Sequence, residues 1–217
     1  MIQFNKIYKN KYWGDNKNTL SGSGSTLEAN IYRNIFLSKF INNNKIKKVY
    51  DICGDCNWQN QFVKLVKDKN FEYFGFDVSA VALLRAKIKN YNIPNMSFSN
   101  KPIDLCNTIL DCNDKLNSLV LIKEVIQHLP LNLGIKMLQN IKKSGIKYIA
   151  ITNHEQELFN VNENYNVNIG GFYPNNMFLK PFNFKNPLAD VKDIIKNKDL
   201  IKKYGNLIIF NIQEQNI

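Results

Sequence analysis

Acidic side chains stand near the ends of three short apolar segments of the chain. Asp51 and Asp55 lie at the end of the first, Asp77 directly follows the second, and Asp104 comes shortly after the third. A carboxylate at a strand end can accept hydrogen bonds from both hydroxyls of a ribose. Gly54, the only glycine of the first loop, lets backbone N–H groups approach a ligand closely. Because the sequence has no phosphate-cradling loop, the pattern favours a nucleoside ligand with a cationic tail over a nucleotide.

A second group of polar side chains follows the fourth apolar segment, at 118–122. Lys123 and Glu124 come directly after it, and His128 stands four residues further on. A histidine that is neutral near pH 7 can take a proton from an attacking hydroxyl or amine. His128 is therefore the first candidate for a general base, with Glu124 and His154 as further candidates. A histidine that only bonds to backbone at a helix start is the competing interpretation and stays open.

Strand-like and helix-like segments alternate between these groups. Helices are predicted from the helical spacing of apolar residues after Ser25, around 62–66, and at 79–91 and 131–143. The segments 1–24 and 154–187 are irregular in this interpretation, and 188–203 fit either a helix or a strand with a loop. Alternation of this kind predicts βαβ units and a doubly wound α/β fold with a mostly parallel sheet. The predicted strands are 48–52, 71–76, 96–99, 118–122, 147–152 and 206–212.

Apolar periodicity also predicts which faces of two helices are buried. Ser25 followed by Glu28 is typical of a capping box at the start of the first helix. The residues expected in the core recur at helical spacing: Leu27, Ile31, Ile35, Phe36 and Phe40 in the first helix, and Val81, Leu84 and Ile88 in the second.

The composition is that of an ordinary globular protein. The chain has 217 residues, 44% of them hydrophobic, and at this length one core can form without disulfides. A single domain over 1–217 is therefore expected. The longest apolar runs have the length of a strand, so no membrane partner is expected. The first residues lack a secretory signal and four cysteines form no disulfide framework, so we expect a reducing, cytoplasmic location.

The net charge of +11 results from 29 basic against 18 acidic residues. Such a charge favours polyanionic partners through long-range attraction. Only Arg33 and Arg85, however, carry the guanidinium group that makes paired contacts to bases and phosphates. A solvated, lysine-rich surface is the favoured interpretation, and a nucleic-acid partner stays open.

The cysteines occur as two pairs. Cys53 and Cys56 have two residues between them, and Cys106 and Cys112 have five. This spacing differs from that of common zinc ribbons, so no metal site is predicted. A thioredoxin-like redox site would fit the position after a strand, but Gly-Asp between the two cysteines is unusual for it. Small buried thiols are the favoured interpretation of all four.

Taken together, the loop motifs resemble those of class I S-adenosylmethionine-dependent methyltransferases. The resemblance rests on Asp-x-Cys-Gly-Asp-x-Asn-Trp from Asp51, on Phe-Asp-Val around Asp77 and on Ile-Asp-Leu around Asp104. It is closer to a subset of small bacterial and large-DNA-virus members. The motifs shared with that subset are Trp13-Gly-Asp15, Ser21 to Glu28, Gln127-His-Leu129, Gly170-Gly-Phe172 and Pro181-Phe-Asn183.

The resemblance implies a seven-stranded sheet whose last strand is antiparallel, with 206–212 in mid-sheet. It implies S-adenosylmethionine as the cofactor, with Asp77 at the ribose and Asp104 at the adenine amino group. Residues 1–24 would close over the cofactor, and 154–187 would form an irregular insertion on the substrate side. The other residues it places near the cofactor are Asp51, Cys53, Gly54 and Asp55 around the methionine part, and Trp13, Ser21, Ser23, Ser25, Trp58, Val78, Leu105 and Lys123.

One departure from the family concerns the first loop, which usually reads acid-x-Gly-x-Gly. Counting from Asp51, the chain is one residue short and lacks the first glycine. Either the loop takes a tighter path, or the cofactor site is altered or lost.

The activity that the resemblance implies is methyl transfer to an oxygen or nitrogen of a small molecule, with a sugar or glycan precursor as one candidate. No Asn/Asp-Pro-Pro-aromatic sequence follows the fourth strand, which argues against DNA amino-methylation, and no cysteine nucleophile stands there for cytosine C5 methylation. An RNA- or DNA-directed enzyme and a related scaffold without cofactor remain the alternatives. A viral member would act in the host cytoplasm or the virion.

Overall fold

The computed structural model describes residues 2–14, 19–160, 162–195 and 205–217. Its seven strands form one mixed sheet in the order β3-β2-β1-β4-β5-β7-β6. The backbone divides into two compact units, Met1–Asp104 and Leu105–Ile217. The predicted α/β class, with a mostly parallel seven-stranded sheet, is thereby confirmed. Asp15 of the Trp-Gly-Asp motif, and the part of 188–203 beyond Ile195, lie outside the described residues.

The first unit contains the parallel strands β1 (Lys48–Ile52), β2 (Glu72–Phe76) and β3 (Met96–Phe98). Lys48 pairs with Glu72, and Tyr73 pairs with Met96. Because parallel strands end at the same edge of a sheet, the loops after β1 and β2 emerge side by side. Four helices accompany these strands: α1 (Ile2–Asn10), α2 (Leu27–Asn43), α3 (Gln59–Leu65) and α4 (Ala80–Asn90).

Helix α1 corrects the prediction that 1–24 is irregular. Its apolar residues recur at helical spacing over little more than two turns, and Ile7 and Tyr8 are buried. A helix this short depends on tertiary packing for its stability. Among the described residues it is held by Ser79, whose hydroxyl donates to the Asn5 side chain over 2.9 Å, and by packing of Tyr8 with Leu20.

Helix α2 begins one residue later than predicted. Thr26 is its N-cap and accepts from the Ala29 N–H over 3.3 Å, whereas Ser25 ends a 3₁₀ turn, so the predicted Ser25 capping box is wrong. The predicted core faces were partly wrong as well. Leu27, Ile31, Leu84 and Ile88 are exposed, while the buried positions include Asn30, Arg33 and Asn34 in α2 and Ala82, Leu83 and Ala86 in α4.

The second unit contains β4 (Ser118–Ile122), β5 (Tyr148–Asn153), β6 (Ala189–Asp190) and β7 (Asn206–Asn211). β4 and β5 are parallel, and β7 lies antiparallel between β5 and β6, as the resemblance implied. Every residue of β4 and β5 is buried, which explains their continuous apolar sequences. Helix α5 (Leu131–Lys143) has the predicted bounds, and α6 (Gln156–Phe159) is one turn within the irregular stretch. In the described part of the chain, no helix combines the length and apolar character needed to cross a bilayer.

Candidate functional site

The loop after β1 is a tight turn with Gly54 at its apex. The Cys53 N–H donates to the Phe76 carbonyl over 3.0 Å, and the Cys56 N–H returns to the Cys53 carbonyl over 2.9 Å. Gly54 has φ +54° and Cys56 has φ +50°, both in the left-handed region. The shortened loop therefore folds as a tight turn.

Asp77, at the carboxyl end of β2, links this turn to the start of α4. Its carboxylate accepts from the Gly54 N–H over 3.1 Å and from the Ser79 N–H over 2.7 Å. Burial raises the pKa of Asp77 to about 6, although these backbone hydrogen bonds act in the opposite direction. The site therefore holds a carboxylate whose negative charge is only partly compensated, and further hydrogen-bond donors would stabilise it.

Asp55 is fully buried and holds the segment 19–21 against the turn. Its carboxylate accepts from the Ser21 hydroxyl over 2.6 Å and from the Leu20 N–H over 2.9 Å, and the Lys89 ammonium lies 3.0 Å away. Burial alone would raise the pKa of Asp55, but the hydrogen bonds from Ser21 and Leu20 and the charge of Lys89 outweigh it and lower that pKa. Asp55 is thus ionised and fully engaged within the protein.

Tyr8 and Ser21 cover the turn at Gly54. The Tyr8 and Ser21 hydroxyls lie 3.2 Å apart, and a Cβ added to Gly54 would come within 2.9 Å of the first and 2.5 Å of the second. Burial strongly raises the pKa of Tyr8, so its hydroxyl keeps its proton. Two hydroxyl groups are thereby presented beside the turn. Tyr8 was missed by sequence reasoning because it lies 46 positions before Gly54 in a helix that was not predicted.

Gly54→Ala is expected to destabilise the protein by about 2 kcal/mol or more, because a left-handed conformation and a contact of 2.5 Å are both unfavourable for a side chain. Gly134→Ala is the matched control. Gly134 lies inside α5, its added Cβ meets nothing closer than 3.5 Å, and the change should stabilise by about 0.5–1 kcal/mol. Urea unfolding of both variants measures this, and equal stabilities would contradict it.

The other residues predicted near the cofactor lie at several places in the two units. Asp51 is buried and accepts from the Tyr73 hydroxyl over 2.6 Å and from the Gln59 amide over 2.9 Å. Trp13 packs on Tyr8 with ring centroids 6.0 Å apart, and Trp58 is buried against Phe62. The remaining positions are Ser23 and Ser25 in the 3₁₀ turn before α2, buried Cys53, half-buried Val78 and Asp104 in the first unit, and buried Leu105 in the second.

In the second unit, Glu124 is the second residue after β4 and has φ +57°, a conformation unusual for a residue other than glycine. Its N–H donates to the Thr152 hydroxyl over 2.8 Å. Its carboxylate accepts from the Gln127 amide and lies 3.7 Å from the buried Lys123 ammonium. The Glu124 side chain keeps 18% of its surface exposed, although its Oε1 is buried.

His128 lies next to this carboxylate with a defined orientation. Its Nδ1 is 2.6 Å from the Gly171 carbonyl, and the Gly170 N–H donates to the His128 carbonyl over 2.8 Å. A carbonyl only accepts, so Nδ1 carries the proton and Nε2 of the neutral ring carries the lone pair. Burial lowers the pKa of His128, although the Gly171 carbonyl and the Glu124 charge act in the opposite direction. The ring is therefore neutral near pH 7.

His154, at the end of β5, is almost fully buried. Its Nδ1 lies 3.2 Å from the Asn175 carbonyl and 3.1 Å from the Asn175 side-chain oxygen. Burial lowers its pKa as well, against the opposing charge of Glu124. Its ring packs edge-on against Phe159 and Phe172. The three predicted catalytic candidates Glu124, His128 and His154 thus belong to one group of side chains.

Four asparagines hold the segment that carries Gly171 and Phe172, and sequence reasoning missed them. Asn175 donates to the Thr152 carbonyl over 2.8 Å, and Asn153 accepts from the Met177 N–H over 2.7 Å. Asn164 both accepts from the Asn176 N–H and donates to the Asn176 carbonyl, each over 2.7 Å. All four side chains belong to buried residues. Asparagine is abundant throughout the chain, so no local signal distinguished these four.

The four cysteines are buried, free thiols. Cys56 Sγ lies 3.6 Å from the Tyr73 hydroxyl, and Cys112 Sγ lies 3.4 Å from the Ser118 hydroxyl. Within the residues described by the structure, no group of three histidine, cysteine or acidic side chains is arranged to hold a metal ion.

Several solved structures with a similar fold are methyltransferases. The chain resembles a putative methyltransferase from Thermobifida fusca with a TM-score of 0.60 and 12% identity over 86% of this chain and 83% of that one. It also resembles magnesium protoporphyrin IX methyltransferase from Synechocystis, solved with bound S-adenosylmethionine (TM-score 0.55, 10% identity, 96% and 92% covered). The N-methyltransferase NodS from Bradyrhizobium japonicum gives a TM-score of 0.55 with 11% identity over 85% and 96%. No family model and no curated protein matches the sequence. At these identities the comparisons show the fold, which is that of class I methyltransferases.

Proposed function

We propose that the protein is an S-adenosylmethionine-dependent methyltransferase that acts on an oxygen or nitrogen of a small molecule. The observation that carries the proposal is Asp77, a buried carboxylate at the end of β2 with backbone donors that include Gly54 and Ser79 and a pKa raised to about 6. Two ribose hydroxyls would supply the donors that this carboxylate lacks. The fold supports the choice of cofactor, since the Synechocystis neighbour binds the same compound.

The roles of the surrounding residues are part of the same proposal. Asp77 would bind the ribose and Asp104 the adenine amino group, and the turn around Gly54 would lie along the methionine part. Tyr8 joins the set because its hydroxyl lies beside that turn. Asp51 and Asp55 would support the site from below, since both are buried and bonded within the protein. The further contacts proposed are Trp13, Ser21, Ser23, Ser25, Cys53, Trp58, Val78, Leu105 and Lys123.

When bound, the cofactor supplies a methyl group that its positive sulfur already activates. The protein therefore has to bind and orient the acceptor and to remove its proton. His128 suits the second task, because Gly171 fixes its ring and leaves the lone pair on Nε2. Glu124 and His154 flank it, and both influence its protonation.

Calorimetry with S-adenosylhomocysteine tests the proposal. We expect one site per chain with micromolar affinity. Absence of binding at millimolar concentrations of S-adenosylhomocysteine would favour the second candidate, a scaffold with this fold that has lost the cofactor. One observation supports that candidate: the Tyr8 and Ser21 hydroxyls already lie against Gly54. A filter-binding assay at low salt addresses the RNA- or DNA-directed alternative, which predicts retention of nucleic acid.

The affinity for S-adenosylhomocysteine is expected to be constant above pH 7 and to fall about tenfold per pH unit below pH 6, because Asp77 must be ionised to accept two hydroxyls.

The contribution of Asp77 to folding stability changes with pH in the opposite direction. Between pH 4 and 6 the folded chain keeps a proton on Asp77 that the unfolded chain releases. This contribution therefore favours the folded state at low pH and is lost as the pH rises through 6, by at most about 3 kcal/mol.

Calorimetry between pH 5 and 8, with urea unfolding at the same pH values, measures both effects. Asp77→Asn is the control, because it should abolish the Asp77 contribution to each profile. An affinity that does not change with pH in the original protein would contradict the ribose assignment.

A further inference from the structure

The charges around His128 limit which acceptor the proposed reaction can use. The structure describes two charged side chains there, Lys123 and Glu124, which lie 3.7 Å apart and offset each other. The second imidazole, His154, is neutral near pH 7 because burial lowers its pKa. The group as a whole therefore has no net negative charge with which to bind an ammonium ion.

The same group contains acceptor oxygens that lack a donor. Gln127 is fully buried; its amide donates to Glu124, but its Oε1 has no hydrogen bond among the described residues. Within the described part of the chain, Glu124 Oε1 is also without a hydrogen bond, and it lies 3.7 Å from the Lys123 ammonium. Buried acceptors are usually satisfied, and an unsatisfied one is stabilised by a ligand or water that donates. The unsatisfied Glu124 oxygen is itself buried, so a ligand hydroxyl reaches it only when the partly exposed side chain shifts.

Building on the methyltransferase proposed above, we propose that the methyl acceptor is an uncharged hydroxyl group on a polyhydroxylated small molecule, and that a second hydroxyl of the same molecule donates to Glu124. The acceptor oxygen forms a bond to the methyl carbon while the carbon–sulfur bond breaks and its electron pair stays on sulfur. The hydroxyl proton passes to Nε2 of His128, and the imidazolium then releases it to water. The products are a methyl ether and S-adenosylhomocysteine.

The strength of the base distinguishes this acceptor from an amine. An aliphatic ammonium, with a pKa near that of lysine at about 10.4, must lose its proton before it can attack. A histidine whose pKa lies below 6.5 is mismatched with that proton by about four pH units. The proton of a hydroxyl group becomes strongly acidic only while its oxygen is being methylated. A weak base in the right place is therefore sufficient to remove it.

To test the inference, the protein is incubated with methyl-deuterated S-adenosylmethionine and with each of two matched mixtures of candidate acceptors. One mixture contains neutral and nucleotide-linked sugars and inositols, and the other contains the corresponding amino sugars and polyamines. Mass spectrometry and NMR then locate the label. We expect labelled methyl ethers, including ethers on the amino sugars. Label on nitrogen, or no labelled product from either mixture while S-adenosylhomocysteine binds, would overturn the inference and leave the cofactor assignment intact. Failure to bind S-adenosylhomocysteine would instead remove the proposed function.

A second measurement needs no turnover. Nitrogen-15 NMR of the histidine side chains should show His128 neutral at pH 7, with its proton on Nδ1. Glu124→Gln should weaken binding of the unmethylated sugar that accepts the label in the first experiment at least tenfold, without changing binding of S-adenosylhomocysteine. Glu157→Gln, an exposed position in α6, should change neither. A protonated His128 at pH 7, or unchanged sugar binding by Glu124→Gln, would contradict the assignment.

Discussion

Replacing His128 with asparagine is expected to slow methyl transfer by two to four orders of magnitude, the usual contribution of a general base. Asparagine can still donate to the Gly171 carbonyl, in the place of Nδ1, but it offers no basic nitrogen in the place of Nε2. The affinity for S-adenosylhomocysteine should therefore stay the same, and the free energy of unfolding should change by less than about 1 kcal/mol. Turnover, calorimetry and urea unfolding measure the three quantities.

The pH profile provides the control for this prediction. Because the pKa of His128 is lowered by burial, the rate of the original protein should rise with pH and level off before pH 7. The asparagine variant should lose that dependence. A variant with full turnover, or one that loses turnover only because it binds S-adenosylhomocysteine poorly, would show that His128 is not the base.

Asp77→Asn is expected to weaken S-adenosylhomocysteine binding by 10- to 100-fold, since hydrogen bonds to a charged acceptor contribute about 1.5–3 kcal/mol. The asparagine oxygen can still accept from one of the two backbone donors, Gly54 or Ser79. Stability near pH 7 should change little, because the lost hydrogen bond is offset by removal of an incompletely compensated charge. Asp111→Asn, at an exposed position, is the matched control.

Calorimetry separates the two variants, and urea unfolding verifies that both are folded. Equal affinity of Asp77→Asn and Asp111→Asn for S-adenosylhomocysteine would exclude Asp77 as a ribose ligand. Weak binding by both would indicate a general effect of charge.

Most of the fold could be predicted from the sequence because the central strands β4, β5 and β7 are buried on both sides. Such strands are continuous apolar runs between turn residues, and helix α5 has a clear amphipathic pattern. The faces of α2 and α4 were not predictable in this way. Their buried sides use polar or small residues such as Arg33 and Ala82, whereas Leu84 and Ile88 are exposed. A hydropathy pattern places a charged residue such as Arg33 at the surface. Arg33 is nevertheless buried, and its guanidinium donates to the Ala29 carbonyl.

The site was predictable only where a residue stands at a strand end. Asp77 directly follows β2 and Glu124 is the second residue after β4, so their place in the chain fixes their place in the fold. Tyr8 could not be predicted, because its position depends on a contact between segments far apart in the sequence. The orientation of His128 likewise depends on Gly171, 43 residues away.

The hydrogen bonds that Asp55 receives from Leu20 and Ser21 have a consequence for handling the protein. After a protease cut between Ser21 and Thr26, only non-covalent contacts would hold the first helix, Leu20 and Ser21, and this segment could dissociate from the rest of the chain. The Asp55 charge would then keep Lys89 and Asn57 but lose donors at 2.6 and 2.9 Å. Shortened forms that start at α2 should therefore be poorly soluble or aggregate, and purification tags are better placed at the other end.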